Sequence, residues 1–216
     1  NDVIRYEYLN EETRMGPRLI VQQKLTPFVN KYRILTSTPT GTPDALVALA
    51  QQKRLAFKEK VMFYGDEKRD RLSFTFRAEK VMDVHGRYFV EDAQAKMLGM
   101  FKKEFVQSLV SSTWKVFDAN GNEILLVKEN NLALALLRRF GGEIPIVGIF
   151  IEMIVMFLKY HFVFIDLATN QEVGAYRKTT LLRDQYVLEL DDVTWNKLDW
   201  RVYASVGVAL DALQSR

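Results

Sequence analysis

The stretch WRVYASVGVALDAL, Trp200 to Leu213, places apolar or small side chains on every face of a helix: Trp200, Val202, Tyr203, Ala204, Val206, Gly207, Val208, Ala209, Leu210, Ala212 and Leu213. A helix that is apolar all round must be surrounded, and fourteen residues fall short of the roughly 20 needed to cross a bilayer. The stretch therefore reads as a helix inside the protein. Asp191, Asp192 and Asp199 lead into it, and negative charge there suits a helix N-terminus.

What surrounds this helix is read from the rest of the chain, which alternates apolar and polar residues over short runs cut by turn residues, the period of half-buried strands. Eleven such runs stand out: Arg18 to Lys24, Lys31 to Leu35, Arg54 to Phe63, Arg71 to Met82, Arg87 to Glu91, Met97 to Phe105, Ser112 to Asp118, Glu123 to Lys128, Tyr160 to Asp166, Glu172 to Thr179 and Gln185 to Leu190. Short connections between most of them point to a largely antiparallel barrel or sandwich. Asn120-Gly121 reads as a two-residue type I′ hairpin turn, which needs positive φ at both positions.

Between the second and third runs the local signals conflict. Thr42-Pro43-Asp44 followed by Ala45 to Gln52 looks like a cap, a first-turn proline and an alanine-rich helix, yet the same residues suit a strand buried on both faces. Two further helical stretches, Leu132 to Phe140 and Ile144 to Leu158, are joined by Gly141-Gly142 and read as a helical insertion over 131–158. There is also an internal echo. Tyr88 to Asp92 leads to Gly99-Met100-Phe101-Lys102-Lys103, and Phe162 to Asp166 leads to Gly174-Ala175-Tyr176-Arg177-Lys178, with the two glycines seventy-five residues apart. Both copies read as a hairpin ending in Gly-x-aromatic-basic-Lys.

Composition narrows the functional classes. The 216 residues carry 30 basic and 27 acidic side chains, a net charge of +3, and 48% are hydrophobic, so the chain is globular rather than disordered. The absence of cysteine removes disulfides, thiolate metal sites and cysteine nucleophiles, and is compatible with a reducing compartment. His85 beside Gly86 and His161 at a strand start have no partner at metal-ligand spacing. With no nucleophile elbow, phosphate-binding loop or dinucleotide fingerprint, no catalytic residue, metal or cofactor is expected. Nucleic acid is not an expected partner at so modest a charge.

Charge is nevertheless uneven. Lys53 to Lys103 holds thirteen basic and eight acidic residues, whereas Glu189 to Asp199 holds four acids and one lysine. Lys58, Lys60, Lys102, Lys103, Arg177 and Lys178 are the candidate anionic-lipid-binding residues, expected to gather on one barrel face.

Several motifs in order resemble the LURP-one-related proteins of the tubby C-terminal-like superfamily, which also includes phospholipid scramblases. They are QQKRLAFKEK (Gln51 to Lys60), GMFKK (Gly99 to Lys103), SSTW (Ser111 to Trp114), LRDQY (Leu182 to Tyr186), LDWR (Leu198 to Arg201) and VALDAL (Val208 to Leu213). The resemblance spans about Arg18 to Arg216, leaving 1–17 as an N-terminal extension to a single domain, 18–216, with an insertion at 130–159 and a central helix at 200–213. It implies a closed antiparallel β-barrel of about twelve strands around a central hydrophobic C-terminal helix, with Ala45 to Gln52 as a strand. It also implies binding of phosphoinositides by basic residues, although the family's binding positions do not map residue by residue onto this chain.

The resulting expectation is a non-enzymatic binding or scaffold module of the tubby-like fold. Its expected ligand is an anionic phospholipid or phosphoinositide headgroup, its expected place the cytoplasm and inner membrane surface, and it has no transmembrane span. The apolar insertion offers a surface for a protein partner. The alternatives are a scramblase-like membrane-active protein using that insertion, and a small-ligand carrier whose cavity lies beside the helix at Ala204, Gly207 and Ala209.

Overall fold

The computed structural model describes residues 16–25, 29–53, 60–79, 86–104, 113–129, 161–180 and 184–214. Twelve strands form a closed antiparallel barrel: β1 (Gly16–Leu25), β2 (Val29–Ser37), β3 (Pro43–Lys53), β4 (Lys60–Tyr64), β5 (Leu72–Ala78), β6 (Arg87–Asp92), β7 (Met97–Glu104), β8 (Thr113–Phe117), β9 (Glu123–Glu129), β10 (His161–Asp166), β11 (Glu172–Lys178) and β12 (Asp184–Leu190). Each strand pairs with its neighbour in sequence, and β1 closes the ring on β12 with Ile20 opposite Val187. A short helix α1 (Asp192–Trp195) follows, then α2 (Trp200–Gln214).

The expected inner helix is present. Every residue of α2 from Val202 to Ala212 is buried. The barrel turns its large side chains onto it, among them Tyr32, Phe63, Phe74, Phe76, Phe101, Trp114, Phe162 and Tyr176. Asp199 caps the helix by accepting the Arg201 N–H at 2.9 Å, and Trp200 meets the Phe74 ring edge-on at 5.5 Å. Asp191 caps α1 instead, through the Thr194 N–H.

Strand direction gives the barrel two distinct ends. The hairpin turns after β2, β4, β6, β8 and β10 lie at the end where α2 begins, here the turn end. α2 finishes toward the far end, where the chain passes from β1 to β2, β3 to β4, β5 to β6, β7 to β8, β9 to β10 and β11 to β12. The expected insertion at 130–159 falls between β9 and β10, outside the described residues, as do the extension up to residue 15 and Lys58.

Tertiary context decides the local conflict in favour of strand β3. Ala48 and Ala50 are fully buried against the core, and β3 is paired on both edges. Alanine fits because Phe63 stands directly opposite Ala50 and fills the space. The type I′ turn at Asn120-Gly121 is corrected. Only Gly121 has positive φ (88°), and the paired bonds Asp118 N–H to Asn122 O and Gly121 N–H to Asp118 O define a three-residue loop closed by one left-handed residue.

The internal echo acquires a steric meaning. A Cβ at Gly99 would lie 2.7 Å from the Phe117 carbonyl and 2.9 Å from Val202 of α2, and one at Gly174 would collide with the Glu189 carbonyl and Leu190. Both glycines let neighbouring groups approach; two residues on, Phe101 and Tyr176 enter the core.

The basic end of the barrel as candidate functional site

Alternation along the strands separates the expected basic residues. Lys60, Lys102 and Arg177 point outward, flanked by the inward Val61, Phe101 and Tyr176. Lys103 and Lys178 point inward with Phe101 and Tyr176. Because β4, β7 and β11 are not adjacent, these residues do not gather on one outer face. They do gather at one end.

Taking the three terminal positions of all twelve strands, and leaving aside Lys115 at the middle of β8, the far end holds eleven basic and three acidic residues. The same positions at the turn end hold one basic and seven acidic residues. The barrel is thus charged along its axis. Lys24, Lys31, Arg87 and Lys128 belong to this set and escaped the sequence reading. Their signal was connection parity: strands that meet at every second junction end in Lys or Arg.

Register sharpens the picture. Lys24 stands directly opposite Lys31, Lys60 opposite Arg77, and Arg87 opposite Lys102, which in turn faces Lys115. Like charges directly opposite on neighbouring strands are destabilising. Some of this charge is answered: Arg77 pairs with Glu91 at 2.8 Å, Arg87 with Glu79 at 3.2 Å, Lys102 with Glu104 at 3.2 Å, and Arg177 with Glu189. Lys24, Lys31, Lys60 and Lys128 are exposed and form no ion pair among the described residues.

Inside the same end, polar groups surround the last turns of α2. The Lys103 ammonium lies 5.5 Å from the centre of the Trp114 ring, and burial pulls its pKa down against the opposing influence of Glu129. Lys178 bonds Asp184 at 2.7 Å. Asp211 of α2 accepts from the Tyr186 hydroxyl at 2.7 Å and the Tyr32 hydroxyl at 3.1 Å. Tyr32 in turn accepts from Gln23 at 3.1 Å. Burial pushes the Asp211 carboxyl up to about 6, with the two tyrosine hydrogen bonds opposing the rise. It also holds Tyr32, Tyr176 and Tyr186 well above the usual phenol range. The Tyr176 ring stacks on that of Tyr186, and the buried Tyr176 hydroxyl has no hydrogen-bond partner among the described residues. Sequence reasoning missed Asp211, although its signal was plain: a carboxylate in the middle of VALDAL, an otherwise apolar run.

The expected groove beside α2 is occupied at its centre. Gly207 is small because the Tyr176 ring packs on it, leaving a Cβ only 3.2 Å from that ring. Ala204 and Ala209 are likewise buried in the core. Among the described residues no group of three or more His, Asp or Glu side chains is placed to hold a metal ion. His161 is half-buried, its pKa lowered by burial and by Arg177, and His85 lies outside the described residues. No helix among the described residues is long and apolar enough to cross a membrane.

Comparison with known proteins gives no matching family model and no matching curated relative, so the barrel and its charged end stand as the basis for function.

Proposed function

We propose that this chain is a non-enzymatic, tubby-like binding module of LURP-one-related type that docks its far end on an anionic phospholipid surface at the cytoplasmic face of a membrane. The observation that carries this reading is the axial charge separation, with like-charged residues retained opposite one another on the far end's outer wall. A polyanionic surface offsets that repulsion, at about 1 kcal/mol for each lysine or arginine brought to it. The same charge serves free phosphoinositide headgroups or a flat anionic bilayer, and the docking site is therefore a ring rather than the single outer face first expected.

Co-sedimentation with neutral, phosphatidylglycerol-containing and phosphoinositide-containing vesicles tests the reading at low and high salt. Binding to the anionic vesicles alone, weakened by salt and by Lys31→Glu/Lys60→Glu but not by Lys68→Glu at the turn end, is the expected result. Absence of binding under every condition sinks it. Salt-resistant binding that Ile151→Asp abolishes turns the assignment to scramblase-like insertion through 130–159.

A further inference from the structure

Asp211 is a buried carboxylate that forms no ion pair among the described residues; Lys178, bonded to Asp184, acts on it electrostatically. Burying an ionised carboxylate is costly unless it is well paired. Here the compensation comes from two hydroxyl donors on different strands, so the charge state of one residue ties α2 to β2 and β12. The groups facing it are Tyr32 from β2, Tyr186 and Asp184 from β12, and Tyr176 and Lys178 from β11, with Gln23 of β1 acting through Tyr32. Asp184 disfavours the charged form and Lys178 favours it, and these two are already bonded to each other.

We propose that protonation of Asp211 is coupled to docking of the far end on an anionic phospholipid surface, so that docking strengthens as the medium is acidified; the inference rests on the anionic-surface reading. The coupling follows from position. Asp211 lies inside the end that carries the basic ring, so an anionic surface laid across that end makes the local potential more negative and favours the protonated carboxyl. By reciprocity, a proton on Asp211 raises affinity for the surface by the same factor. A surface potential that, where Asp211 sits, raises the carboxyl by about half a pH unit gives about threefold tighter docking below its titration than above it. With the carboxyl pushed up to about 6, the change falls between neutral and mildly acid pH. Protonation also turns an acceptor of two hydroxyls into a group able to donate one bond itself, and the Tyr176 hydroxyl, which feels the Asp211 charge, has no hydrogen-bond partner among the described residues.

The test is affinity for phosphatidylglycerol-containing vesicles at pH about 7.5 and about 5, using the full chain with His85→Gln and His161→Gln to remove imidazole titration. The expected result is about threefold tighter docking at the lower pH, flattened by Asp211→Asn. Tyr186→Phe removes a donor that stabilises the carboxylate and moves the midpoint to higher pH. Docking whose pH dependence is the same in Asp211→Asn and unmoved in Tyr186→Phe overturns the coupling and leaves the surface reading standing. No docking at either pH overturns both. If Asp211→Asn does not fold, the midpoint shift in Tyr186→Phe decides alone.

Discussion

At the turn end, the carboxylates of Asp66, Asp92, Asp118 and Asp166 each accept backbone N–H groups of their own hairpin, whereas at the far end Lys24, Lys31, Lys60 and Lys128 face solvent with no acid partner among the described residues. All five hairpins of the turn end also place one residue in the left-handed region: Gly41, Arg69, Ala95, Gly121 and Asn170. These four carboxylates are therefore committed to local structure. Charge at the far end is held against its own cross-strand repulsion. The contrast teaches that charge of similar density is bound into local turns at one end and left facing solvent at the other.

Four substitutions break or sharpen this contrast. The largest effect is expected from Gly174→Val, which drives a side chain into the Glu189 carbonyl and Leu190 on the wall joining the two ends; urea denaturation should show a loss of about 3 kcal/mol. Next is Asp211→Asn. The folded-state carboxyl is raised above its ordinary value, so its favourable contribution is complete below the unfolded pKa and is lost as pH rises through about 6. Relative to the variant, the wild type should gain up to about 3 kcal/mol of stability on acidification from neutral pH toward 4, read as the difference between their thermal melts.

Asp118→Ala acts at the opposite end with the opposite sign. The Asn122 side chain and backbone, among other donors, hold the Asp118 carboxyl below its usual value, so its contribution is present above the unfolded pKa and lost as pH falls through the lower folded one. The loss at neutral pH should be about 1 kcal/mol, and the wild type's acid weakening of the β8–β9 hairpin, followed by hydrogen exchange, should shrink in the variant. The smallest effect is expected from Lys31→Glu, which places an acid opposite Lys24 and should stabilise the barrel by about 0.5 kcal/mol while weakening vesicle docking. A variant both less stable and equally able to dock contradicts the division of labour between the ends.

Much of this architecture was legible in the residues. Strand periodicity located eleven of the twelve strands, and an all-round apolar run located the inner helix. β3 was the exception, because alanine favours helix by itself and only the neighbouring Phe63 explains why small side chains are needed there. Asn120-Gly121 marked the hairpin correctly, but the turn type hinged on Asp118, whose side chain accepts the Asn120 and Asn122 N–H groups and selects a longer loop. The basic residues were legible as types, not as a place: adjacent residues such as Lys102 and Lys103 fall on opposite sides of the wall. Asp211 was legible as a lone carboxylate in the apolar run VALDAL, but its tyrosine partners on β2 and β12 were not, being 179 and 25 residues away in sequence.

The helix that fills the barrel follows all twelve strands in the chain, and β1 closes on β12. At the usual rate of synthesis, roughly 10–40 s separate the emergence of β1 from that of α2. Through that interval the strands have neither a closed ring nor the central helix to cover their apolar faces, and β1 presents an unpaired edge. Eleven of the twelve strand pairings join neighbours in sequence, but the pairing that closes the ring and the helix that fills it come last, and these sequence-distant contacts favour slow completion of the fold.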